Sequence, residues 1–143
     1  MNRITGGRKR WILVGIGILI VLFVALRYST GNDIVSVRLV CTDLCGQSNA
    51  AAAPFDEKIF DAEDEITVFK RAMDKAKKMR GDIDYGVSFR MYITYKDGVQ
   101  KEYVLNIGRE KESKGLLVER GKQSEAYSIP VKYHNELSEL IYR

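Results

Sequence analysis

The chain has 143 residues, the length of a single domain, with a formal net charge of +4 and a pI of about 9.0. The positive excess is local. Arg3, Arg8, Lys9, Arg10 and Arg27 precede residue 28 with no acid among them, which leaves 18 of the 23 basic residues to face all 19 acids. A nucleic-acid binder carries its basic stripe on the folded part. This folded part is slightly acidic, so DNA and RNA are excluded as partners.

Residues 1–10 read as a basic cytoplasmic tail. Trp11 to Leu26 is an uninterrupted apolar run, and Trp11 and Tyr28 can serve as interfacial anchors. The eighteen residues 11–28 would rise roughly 27 Å as a helix, enough for a thin bilayer core. Arg8, Lys9 and Arg10 stand directly before the run, whereas only Arg27 follows closely. The positive-inside rule therefore places Met1 in the cytoplasm and residues 29–143 outside, in a single-pass topology. The partners expected at this end are the lipid bilayer and, for Arg8, Lys9 and Arg10, anionic inner-leaflet lipids. Ser29 and Gly31 also provide small residues for cleavage after Gly31, so removal as a signal peptide is the competing reading.

Asp33–Cys41 alternates, with Ile34, Ser36 and Arg38 on one face and Val35, Val37 and Leu39 on the other, which predicts a strand. Thr42–Phe55 is a loop rich in Gly, Ser, Asn and Ala. Its length singles it out as mobile or functional. Lys58–Phe60 is a short extended piece. A helix follows, with Asp61 as N-cap and Glu63, Asp64 and Glu65 complementing the positive end of its dipole. Its apolar stripe is Ala62, Ile66, Phe69, Met73 and Ala76. Basic residues as far as Arg80 load its C-terminal half, and Gly81 stops it.

Tyr85–Tyr95 alternates cleanly, placing Tyr85, Val87, Phe89, Met91, Ile93 and Tyr95 on one face and Arg90 and Tyr92 on the other. Asp97-Gly98 marks a hairpin. A three-residue loop, Lys96–Gly98, pairs Tyr95 with Val99, Met91 with Tyr103, Phe89 with Leu105 and Val87 with Ile107, so apolar side chains meet. A two-residue loop would set Ile93 against Glu102 instead. Leu116–Val118 and Ala126–Ile129 form two more strands about a turn at Gly121-Lys122. Pro130 opens a last helix whose apolar side is Tyr133, Leu137, Leu140 and Ile141. The fold class is α+β: an N-terminal transmembrane helix, then a mostly antiparallel sheet with two helices on one face, occupying residues 29–143.

Cys41 and Cys45 are the only cysteines. In an oxidising compartment they suit a disulfide, although an extended strand would hold them about 13 Å apart, so the chain must turn between them. Free thiols and a metal pair remain open alternatives, but a zinc site wants four ligands. His134 is the sole histidine. It falls in the second turn of the last helix, where a partly exposed position is expected and a catalytic base is not. The acids from Asp56 to Glu65 lack the spacing of a calcium loop and are accounted for by helix capping. No phosphate-binding glycine motif occurs. No nucleophile–base pair or metal set is visible, so no catalytic residue, cofactor or metal is assigned. Tyr92, on the polar face beside Arg90, is the best candidate for an exposed binding residue.

The run ITVFKRAMDKAKKMRG, the strand start DYGVSFRMYITYKDG and the closing segment YSIPVKYHNELSELI together resemble the YhfM-like domain of Firmicute cell-envelope proteins, over residues 58–142. The matching positions are the helix stripe, Asp84-Tyr85 and Ile129 to Leu137. Members often carry an aromatic near the end of the hairpin's second strand, where this chain has Asn106-Ile107-Gly108. The resemblance implies an extracytoplasmic, membrane-tethered domain and no known reaction. The expected function is a non-catalytic module that binds an envelope protein or ligand through its sheet or its 42–55 loop. An accessory or regulatory subunit of a membrane complex is the alternative, with an envelope enzyme behind it. The topology predicts that, after reduction, a membrane-impermeant thiol reagent labels Cys41 or Cys45 in intact cells. Labelling that requires lysis would reverse the orientation.

Overall fold

The computed structural model describes residues 17–18, 33–45, 53–81, 83–121 and 125–143. Two compact units divide the chain, Met1–Asp33 and Ile34–Arg143. In the first, Gly17 and Ile18 are helical. The rest of the expected membrane segment 11–28, the basic residues Arg8, Lys9 and Arg10, and the cleavage position after Gly31 lie outside the described residues. Among the described residues, no helix is long and apolar enough to cross a membrane.

The second unit is one antiparallel sheet with two helices. Its strands are β1 (Ile34–Cys41), β2 (Glu57–Phe60), β3 (Lys77–Lys78), β4 (Phe89–Tyr95), β5 (Gln100–Asn106), β6 (Gly115–Glu119) and β7 (Glu125–Ile129). The helices are α1 (Glu63–Lys75) and α2 (Val131–Ile141). The spatial order is β2-β1-β4-β5-β6-β7-β3, and every pair is antiparallel.

The central hairpin adopts the three-residue register. Phe89 stands opposite Leu105 and Met91 opposite Tyr103, while the Tyr95 N–H donates to Val99 O at 2.9 Å. Gly98 adopts φ +83°, a conformation that costs an L side chain energy and glycine little. This register sends Phe89, Met91 and Ile93 into the core with no exposed surface.

Three expectations are corrected. In β1, Val37 and Leu39 are buried as alternation requires, but Val35 points to solvent and Ile34 packs on the core. The pairing with β4 shifts between Ile34 and Ser36, and one extra residue in a bulge reverses the parity beyond it. At the start of α1, Ala62 is the N-cap, without a side-chain cap bond, in place of Asp61. The acids Glu63, Asp64 and Glu65 alone meet the dipole there. At its other end the helix stops at Lys75, well before Gly81. The chain becomes extended at Ala76. Lys77 and Lys78 pair with Ser128 and Tyr127, and the Met79 N–H donates to Ala126 O at 2.8 Å. Pairing with β7 gives these backbone groups partners that a frayed helix end would not, and the two lysines discourage further strand addition at the new edge.

The helices close one side of the sheet. Phe69 of α1 packs 5.2 Å from Phe60, and Phe55 bridges Phe60 and Phe89. Leu137, Leu140 and Ile141 of α2 are buried, and so is His134, at 1% exposure. This corrects the partly exposed position expected for the histidine. Its Nε2 accepts the Gly108 N–H at 3.3 Å, the Ser138 hydroxyl donates to Gly108 O at 2.7 Å, and the Tyr142 hydroxyl donates to Ile107 O at 2.8 Å. Two side chains of the closing helix and that of its cap residue Tyr142 thus satisfy the backbone of the bend after β5, and burying His134 is part of that arrangement.

Two tests follow from the packing. Phe89→Ala should cost about 3–5 kcal/mol, a large part of the roughly 5–15 kcal/mol available to a small domain. Arg90→Ala, its exposed neighbour, should cost about 0.5 kcal/mol or less. Denaturant melts compare them, and equal losses would mean that the faces of β4 are inverted. Alkaline pH probes the other end of the core. Burial, then the Tyr95 and Glu119 charges, raise the Tyr103 pKa above its ordinary 10.0. Its contribution to stability is therefore complete below about pH 10 and is lost as pH rises toward the folded-state value. Tyr103→Phe should flatten the fall in stability above pH 10. An unchanged slope would place Tyr103 in water.

Candidate functional site

The helices cover one face of the sheet, and the other face carries the alternate residues. Cross-strand pairing sets two rows there: Arg38, Tyr92 and Glu102 in one, and Val40, Arg90, Val104 and Val118 in the next. The Arg38 guanidinium lies over the Tyr92 ring, 4.3 Å from its centroid, and reaches Glu57 at 3.5 Å. Tyr92 is therefore half-buried beneath an arginine rather than standing free. Arg120 pairs with Glu102 at 2.9 Å. Arg90 is exposed and, among the described residues, has no carboxylate partner.

An irregular wall rises beside Arg90. Beyond Cys41 the chain turns back through Thr42–Cys45, with the Cys45 N–H donating to Thr42 O at 3.1 Å. Cys41 and Cys45 then pair as a disulfide, with Cα atoms 5.6 Å apart, so the required turn is present. Cys41 closes β1 and Cys45 is buried against the core. Thr42 fastens this turn to the segment before β4. Its N–H donates to Ser88 O at 3.0 Å, and its hydroxyl bonds to Ser88 O at 2.9 Å and to Val87 O. A Cβ at Gly86 would meet the tip of the Leu44 side chain, which would have to rotate to admit it.

Here the strand reading is corrected again. The β4 ladder begins at Phe89 rather than Tyr85, and Val87 does not pair with Ile107. The Asn106 side chain takes over the ladder's function. Its Oδ1 accepts the Ser88 N–H at 2.8 Å, and its Nδ2 donates to Gly86 O at 2.6 Å. Released from the strand, Tyr85 and Val87 leave the face of Phe89 and line a cavity of about 530 Å³ with Arg90. Leu44 and Val104 complete its apolar lining, Arg90 and Arg120 supply the cations, and Thr42 and Asp43 belong to the turn. A second cavity, of about 540 Å³, shares Thr42 and Asp43 and includes Asp56 and Glu57.

Sequence reasoning placed Arg90 and Tyr92 on this face and singled out the cysteines and the 42–55 loop, which contains Leu44. It did not single out Arg38, Gly86, Val104, Arg120 or Asn106. Arg38 could have been found by extending the strand pairing to β1. Asn106 had a signal too, a polar amide at the end of a strand of apolar alternation. His134 lies beneath α2, away from these residues. Among the described residues, no group of three or more His, Cys, Asp or Glu side chains is placed to hold a metal ion. The groups available at the face are a guanidinium and an aromatic ring on regular strands.

Asn106→Ala leaves the Ser88 N–H and the Gly86 carbonyl without their partner, which should cost about 1–3 kcal/mol. Amide exchange should accelerate at Ser88 while the β4–β5 ladder stays protected. Unchanged protection at Ser88 would remove Asn106 from this role.

A family model described as YhfM protein matches residues 48–143, a span that takes in every element from β2 to α2. The disulfide turn and β1 precede it. Neither a curated protein nor a solved structure matches the chain. The matched segment is well over half of the chain, and the chain belongs to the YhfM protein family.

Proposed function

We propose that this protein is a membrane-tethered, non-catalytic binding module of the cell envelope. Residues 11–28 anchor it, Arg8, Lys9 and Arg10 lie against anionic inner-leaflet lipids, and the domain stands on the outer side. The apolar run and its basic flank support the tether. One observation carries the binding role. Both helices pack on the same face of the sheet, and the opposite face presents Arg90 and the Arg38–Tyr92 stack from regular strands. Arg and Tyr are the side chains most used as anchors in recognition, because they join large contact area to directional hydrogen bonds. Rigid strands hold them with little ordering left to occur on binding.

A photo-crosslinking residue at Tyr92 or Thr94 in living cells should form adducts with an envelope component. The same residue at Lys70, on the exposed side of α1, should form few. Adducts from the helix side alone, or from none of these positions, would contradict a binding role for the sheet face.

A further inference from the structure

We infer that the cavity between the disulfide turn and the sheet is a binding site for a monoanion with an apolar body, such as an aromatic carboxylate. The inference rests on the reading of the sheet face as the binding surface and names the ligand class one part of that face takes.

Two features carry it. First, the walls are built rather than incidental. The turn and the segment before β4 lie beyond the ends of the strands, yet the Cys41–Cys45 bond, the Thr42 contacts to Val87 and Ser88, and the Asn106 bridge to Gly86 and Ser88 all fix them. Gly86 permits the closest approach, against Leu44. These are supports of the kind that hold a site's shape before a ligand arrives.

Second, the lining has a definite chemistry. Val104, 3% exposed, lies beneath the cavity, and Leu44, Tyr85 and Val87 contribute the apolar part of its walls. Glu102 already engages Arg120 at 2.9 Å. Among the described residues, Arg90 is left as the guanidinium available to an incoming group, flanked across the strands by Val40 and Val104. A guanidinium beside apolar side chains binds a planar carboxylate by paired, charge-assisted hydrogen bonds while the ligand's body packs on Leu44, Tyr85 and Val87. Asp43 also lines the cavity. Its negative charge disfavours polyanions such as nucleotides, which is why the inference is limited to a single negative charge.

The test uses the full chain in nanodiscs of zwitterionic phosphatidylcholine, with 1-naphthoate as the probe and neutral 1-naphthamide as its control. Amide chemical shifts report the site. Naphthoate should bind with a Kd on the order of 1 mM, moving the signals of Leu44, Val87 and Val104. Naphthamide should bind at least about tenfold more weakly. Arg90→Met should bring naphthoate down to the level of naphthamide, and Arg90→Lys should recover part of the difference. Unchanged signals from α1 and α2 would show that both variants are folded. Absence of naphthoate binding at 10-fold the expected Kd, roughly 10 mM, shifts confined to another region, or equal binding by Arg90→Met would each overturn the inference. Crosslinking at Tyr92 that persists alongside such a failure would leave the sheet face as a binding surface and remove only the ligand class.

Discussion

The parity of β4 governs the rest of this domain. Phe89, Met91 and Ile93 turn toward the helices, and Arg90, Tyr92 and Thr94 turn away. A slip of one residue would exchange the two sets. The loop Lys96–Gly98 holds that parity because Gly98 supplies the positive φ that its last position needs. Pairing then spreads outward. β1 takes its place beside β4, setting Arg38 against Tyr92, and β5 sets Val104 against Arg90. The core and the face of Arg90 and Tyr92 are two consequences of one register.

Much of this was legible in the residues. The hairpin, its loop length, the stripe of α1 and the closing helix follow from periodicity and turn chemistry, which act over a few neighbours. The elements that were not legible depend on distant partners. Lys77 and Lys78 look helical until β7 offers them a ladder. His134 reads as a surface residue until the Gly108 N–H needs an acceptor beneath α2. Val35 follows the alternation of its strand until a bulge turns it outward. In the first two cases a backbone group far along the chain had to be satisfied, and local propensity yielded to it.

The candidate site shows the same division. Arg90 and Tyr92 could be placed on the polar face from alternation alone. The wall beside them could not, because Thr42 and Asn106 act on residues 86–88 from opposite sides in sequence. Cys41 and Cys45 fasten the turn that carries Thr42 and Leu44. The family match begins at residue 48, so this turn lies outside it although it borders the sheet face.

Hydroxyl-radical footprinting is the most direct measurement of the central claim, that the face of Arg90 and Tyr92 is turned away from the helices and that it binds. Methionine is intrinsically the more reactive side chain, so neighbours Met91 and Tyr92 make a sharp pair, with exposed Met79 as the internal reference. In the purified full chain, Tyr92 and Met79 should be oxidised while Met91 is spared. On intact cells Tyr92 should become protected and Met79 should stay reactive. Oxidation of Met91 at the rate of Met79, or a Tyr92 equally reactive in both settings, would contradict the account.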